Sequence, residues 1–108
     1  MLKALKKRRL YHNCAGKHIG FVTVCREMGY PIDGYWKEEH PLQQQIIAIV
    51  AALSELEQSE IRVGIDGCGV PVFALPLKHM ALTYLKLACP DTVQDARLRE
   101  AIQKMTNV

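Results

Sequence analysis

The sequence predicts an α+β fold that is mostly helical, with about four helices and a short two-strand element. Apolar residues recur at helical spacing in two long stretches, Gly16 to Met28 and Leu42 to Leu56. Ile61, Val63 and Ile65 alternate with Arg62, Gly64 and Asp66, as in a strand with one buried face. Glycine and proline punctuate the boundaries, at Gly29, Pro41, Gly67 to Gly69 and Pro90.

The first helix is expected to bury His18, Phe21, Val22, Cys25 and Met28, and to end where Gly29 takes the left-handed conformation. Tyr30-Pro31 and Asp33-Gly34 read as turns. His40-Pro41 opens the second helix, because proline in the first turn loses no hydrogen bond. Its buried stripe is expected at Leu42, Ile46, Ile49, Val50, Leu53 and Leu56, with Gln43, Gln44, Gln45, Glu55 and Glu57 on the polar side. After the first strand and a Gly67-Cys68-Gly69 turn, Val70 to Leu75 reads as a second strand. Pro71 lacks a ladder donor and makes it an edge or irregular one. A third helix is expected from about Pro76 to Ala88, with Leu77, Met80, Ala81, Tyr84 and Leu85 inward. Cys89-Pro90 stops it, and Asp91 is expected to cap a last helix through Met105.

The chain has 108 residues, 49% of them apolar, which suits one domain with a modest core. No apolar run is long enough to span a bilayer, and the N-terminus has charge without an apolar stretch behind it, so a cytoplasmic chain is expected. Lys3, Lys6, Lys7, Arg8 and Arg9 form a basic cluster, but no aromatic residues interleave with them. The expectation is a solvated face or frayed end and no nucleic-acid partner. Four cysteines in a reducing compartment are more often buried, catalytic or metal-binding than paired as disulfides.

Two glycine-bearing loops hold the chemistry. In His12-Asn13-Cys14-Ala15-Gly16-Lys17-His18, the Cys14 thiol sits just ahead of a helix, whose positive end favours a thiolate. The same field disfavours the Lys17 ammonium and leaves an amine able to act as base or ligand. In Gly64-Ile65-Asp66-Gly67-Cys68-Gly69-Val70-Pro71, a second thiol is exposed at a sharp turn. Spacing alone does not bring the loops together, and two unrelated buried thiols are the alternative. Cys25 and Cys89 read as a core residue and an inert, partly buried thiol, His40 as a helix-start residue, and Lys78 and His79 as solvent-facing. Trp36 reads as a local packing anchor beside Tyr30 and Tyr35. The Gly64, Gly67, Gly69 run is no phosphate loop, since no Gly-Lys-Ser/Thr follows it.

These two loops, with Val72-Phe73-Ala74-Leu75-Pro76-Leu77, Met80-Ala81 and His40-Pro41-x-Gln43, resemble the L-asparaginase II family of amidohydrolases, a zinc-containing group with a serine β-lactamase-like fold. The resemblance runs from about Tyr11 to the C-terminal helix. It implies that residues 1–108 form a single partial domain, an internal fragment of a longer amidohydrolase that converts asparagine to aspartate and ammonia. It also implies zinc held by Cys14, Lys17 and Cys68. His18 and Asp66 would be supporting groups. His18 reads equally as a satisfied inner-face histidine, whereas for Asp66 the resemblance favours the site role over a turn carboxylate. Ala15 departs from the serine frequent in the family. The family's nucleophile is a serine in a Ser-x-x-Lys arrangement, and neither serine of this chain, Ser54 or Ser59, has a lysine at that spacing. No catalytic residue therefore carries over. The expectation is the zinc-binding portion of the site, inactive alone, with L-asparagine as substrate of the complete enzyme, no membrane, and a homo-oligomer left open. The alternatives are a non-enzymatic zinc-binding module and an inactive truncated remnant.

Overall fold

The computed structural model describes residues 9–107, and Lys3, Lys6, Lys7 and Arg8 of the basic cluster lie outside them. Among the described residues, four α-helices and one two-stranded sheet follow in the order α1 (Ala15–Met28), α2 (Pro41–Ser54), β1 (Arg62–Ile65), β2 (Pro71–Ala74), α3 (Leu77–Ala88) and α4 (Ala96–Thr106). The α+β, mostly helical expectation is met. None of the described helices is long and apolar enough to cross a membrane.

Local signals set most boundaries. Gly29 ends α1 at φ 69°, its N–H bonding Arg26 O, while the N–H of Tyr30 reaches back to Cys25 O at 2.8 Å. This is the paired arrangement that satisfies the free carbonyls of a helix end. His40 opens α2. Its Nδ1 accepts from the Leu42 N–H at 3.1 Å, so Nε2 carries the proton and donates to Pro31 O at 2.8 Å. One buried neutral imidazole thus ties the Tyr30-Pro31 turn to the helix. β1 and β2 pair antiparallel, Arg62 opposite Ala74 and Ile65 opposite Pro71. Pro71 occupies the last pair, where its missing donor costs least.

The core lies on two sides of α2. Ile47, Ala51 and Ile61 meet Val63, Phe73 and Leu75 of the hairpin. Leu53 meets Val93 and Ile102, with Leu87 and Leu98 around them. Packing on both sides widens and rotates the buried arc of α2. Ile47 and Ala51 are buried, Ile46 and Val50 only partly, and Ile49 is exposed. Gln43, read as a polar-face residue, and Ser54 are fully covered. Gln43 donates Nε2–H to Tyr35 O at 2.8 Å, and the Ser54 hydroxyl donates to Ala51 O at 3.3 Å.

The expected inner face of α3 is wrong. Leu77, Met80, Tyr84 and Leu85 are exposed, Leu77 at 79%, and the helix turns His79, Thr83, Lys86 and Leu87 toward its neighbours. The free carbonyls at the end of α2 decide this. His79 Nδ1 donates to Ser54 O at 2.8 Å, and the buried Lys86 ammonium donates to Ala52 O at 3.3 Å. Lys86 also pairs with Glu55 at 2.8 Å. Glu55 caps α2 at φ 57°, unusual for a residue with a side chain. Apolar side chains could not have satisfied those carbonyls. Other expectations fail where the core stops short. Ile65 keeps the strand alternation but is 66% exposed, and Met28, at 51%, projects past the last packed turn of α1. Cys89 is exposed. Asp91 lies in a 3-10 turn, and α4 is capped by Asp95, whose Oδ1 accepts from the Leu98 N–H at 2.9 Å.

The corrected faces make a stability prediction. Ile102, 1% exposed, should cost about 2–5 kcal/mol on Ile102→Ala, whereas Tyr84→Ser should change stability by less than about 0.5 kcal/mol. Urea unfolding of both variants checks the pair, and a larger loss from Tyr84→Ser would restore the face expected from periodicity.

Candidate functional site

The N-terminus of α1 and the turn between β1 and β2 meet. Cys14 is the residue that caps α1, and its own N–H donates to His12 Nδ1 at 3.1 Å. Lys17 follows within the first helical turn and projects from the same end. Across from them, the tight turn is closed by Gly69 N–H to Asp66 O and Asp66 N–H to Val70 O, each 2.9 Å. Gly69 at φ 88° makes that turn accessible.

Asp66 serves both partners. Its Oδ1 accepts from the Gly67 N–H at 2.7 Å, which holds its own loop. Its Oδ2 accepts from Lys17 Nζ at 2.9 Å and from Cys68 Sγ at 3.5 Å. One oxygen thus serves the aspartate's own loop, as the turn reading has it, and the other faces Lys17 and Cys68. The Sγ atoms of Cys14 and Cys68 and a carboxylate oxygen of Asp66 all lie within 4.8 Å of one another. All four side chains are partly exposed.

Proton affinities here run against the helix-end argument. A hydrogen bond with the neighbouring Cys68 thiol, then desolvation, then the like charge of Cys68 hold the Cys14 thiol above its ordinary value, and Lys17 only partly opposes them. Asp66 raises the Lys17 ammonium by accepting its proton in a hydrogen bond, against a desolvation that lowers it. Lys17 and the Gly67 N–H in turn hold the Asp66 carboxyl below the usual carboxylate range. A contact of 2.9 Å with a carboxylate outweighs the diffuse field of a helix end.

The donor set fits a borderline-soft cation. Two thiols, one amine and one carboxylate are ligand types that zinc accepts in four-coordinate sites, and the Cys14, Asp66 and Cys68 donor atoms require only small contraction around an ion. Lys17 would have to release its proton and turn its lone pair away from Asp66 to join them.

His18 is half-buried but does not hydrogen-bond to the cluster. Its Nδ1 meets the Tyr35 hydroxyl at 2.6 Å, and the two rings pack edge to face. It does share a cavity of about 420 Å³ with Cys68, lined also by Arg9, Leu10, His12, Ala15 and Ile19. Tyr35 and His12 were not singled out from the sequence. His12 carried one usable signal, an acceptor two residues before a helix start. Tyr35 carried none, since its partner lies 17 positions away.

The remaining residues stand apart. Cys25 is fully buried, and Lys78 is exposed. His40 and His79 bond carbonyls of the fold, so the solvent-facing expectation for His79 does not hold. Trp36 packs edge-on against Tyr35. Ser54 is fully buried, and Ser59 is exposed in a 3-10 turn.

No curated protein matches the chain. The family model for L-asparaginase II matches residues 1–108. That match takes in both loops that meet at Asp66 and the helices and hairpin that hold them, and by it the chain belongs to the L-asparaginase II family.

Proposed function

We propose that this chain forms the zinc-holding wall of an asparaginase-type active site, in which L-asparagine is hydrolysed to aspartate and ammonia. The observation that supports this reading most strongly is the convergence of Cys14, Lys17, Asp66 and Cys68 from segments 49 positions apart. Cys14, Lys17 and Cys68 are the proposed ligands. Asp66 accepts from the Lys17 nitrogen and orients it, and His18, steadied by Tyr35, lines the adjoining cavity. Bound zinc would polarise a carbonyl or order the site. The cavity is large enough for a small amino acid, and Arg9 and His12 at its wall offer polar contacts. The rest of the proposal follows the resemblance: a serine β-lactamase-like whole, a cytoplasmic setting, and a lysine-activated serine supplied from outside these residues.

A non-enzymatic zinc-binding role is a second reading. It is favoured by the setting of Ser54, whose hydroxyl is buried and spent on Ala51 O. Metal analysis of the reduced, purified chain tests what both readings share. About one tightly held zinc per chain is expected. A folded chain that binds no zinc would refute both. Binding that is unchanged in Asp66→Ala and Lys17→Met would remove those two residues from the site.

A further inference from the structure

We propose that Cys14 and Cys68 are a redox pair, which a hydroperoxide converts into a disulfide that dismantles the metal site. The regulatory consequence rests on the zinc reading above, while the disulfide itself does not. The geometry selects this pair from the four cysteines. The Cys14 and Cys68 sulfurs lie within 4.8 Å of one another, and both side chains are partly exposed. Cys25 is fully buried, and Cys89, exposed at the C-terminal end of α3, is not part of the cluster.

The gap is closable. A disulfide brings sulfurs to about 2.05 Å, so the two loops must give by a few ångströms at most. The turn that holds Cys68 has room to do so, since nothing lies within 4 Å of where a Cβ on Gly67 or Gly69 would stand. Cys68 also lines the open cavity beside the cluster, which gives a small oxidant a route to the sulfur.

The chemistry balances with hydrogen peroxide as the two-electron oxidant. One cysteine sulfur attacks the peroxide, the O–O bond breaks, a sulfenic acid forms and one water leaves. The second thiol attacks that sulfenic sulfur, the S–S bond forms, the S–O bond breaks and a second water leaves. The two thiol protons end in the two waters. The sulfurs together lose two electrons, and the peroxide oxygens gain them. A bridged pair no longer offers two thiolates, so a bound cation returns to solvent.

Non-reducing peptide mapping of the full chain, stripped of metal and treated with hydrogen peroxide, tests the pair. The expected product is one bridged peptide pair containing Cys14 and Cys68, with an intact mass lower by two hydrogens and restored by dithiothreitol. Cys14→Ser and Cys68→Ser should each leave the partner as a sulfenic acid trapped by dimedone. Cys25→Ser and Cys89→Ser should keep the bridge. The wild-type map needs no variant, so a misfolded substitution does not spoil the test. A bridge involving Cys25 or Cys89, or sulfinic acid at Cys14 and Cys68 without a bridge, overturns the proposal. In zinc-loaded chain, a chromogenic chelator should register one zinc released for each bridge formed. A bridge in a chain that never binds zinc would refute the metal reading and leave the redox pair standing. Zinc binding without a bridge would do the reverse.

Discussion

Cys14→Ala and Cys68→Ala should each abolish zinc binding, while Cys25→Ala and Cys89→Ala should leave about one ion per chain. Cys14 and Cys68 contribute sulfurs to one cluster, and Cys25 and Cys89 do not. Losing one thiolate from a site with two removes the ligand type that best holds a borderline-soft cation. Equal loss from all four substitutions would indicate unfolding, and circular dichroism of each variant separates the cases. The pH dependence has a definite sign. The Cys14 thiol and the Lys17 ammonium are both held above their ordinary values in the metal-free chain. Metal must therefore displace protons from them across the whole neutral range. Affinity should fall as pH falls, by up to about tenfold per pH unit for each proton displaced, and should still be rising at mildly alkaline pH. Affinity that is flat between neutral and mildly alkaline pH would show that these groups are not ligands. Asp66 works in the other direction. Its carboxyl is held low, so it stays ionised as pH falls until well into the acid range and does not set this window.

Purified chain should release no ammonia from L-asparagine, with or without added zinc. Amide hydrolysis in the resembled family uses a serine activated by a lysine that takes its proton. Ser54 is fully buried, and its hydroxyl donates to Ala51 O. Lys86, which reaches the end of its helix, is committed to Ala52 O and to Glu55. Ser59 is exposed, and among the described residues no hydrogen bond joins it to a lysine. Neither hydroxyl has a lysine among the described residues to take its proton. A coupled ammonia assay checks this, with Lys17→Met as the diagnostic variant. Release by the wild-type chain that disappears in Lys17→Met would overturn the prediction and make Lys17 and the metal the principal catalysts. Activity that appears only when a lysine-paired serine is supplied on a second polypeptide would support the proposed division of labour.

Much of the architecture was legible because the signals that set it act over a few residues. Gly29 can adopt a positive φ, Pro41 needs no donor in a first turn, and Pro90 cannot continue a helix, so α1, α2 and α3 begin or end where the sequence says. The alternation of Ile61, Val63 and Ile65 and the turn around Cys68 likewise specify a hairpin without reference to the rest of the chain. The two thiol-bearing loops are visible for the same reason. Only the tertiary structure decided which faces are covered. Periodicity reports that α3 is amphipathic, but the free carbonyls of α2 chose His79 and Lys86 over Tyr84 and Leu85. It also decided the charge states at the site. A helix end is a local property readable from sequence, whereas the hydrogen bond from Lys17 to Asp66 spans 49 positions and reverses the expected shift of the lysine. Backbone punctuation is short-range and survives any context. Burial and proton affinity depend on which distant groups arrive within about 3–4 Å, and a linear sequence does not state those distances.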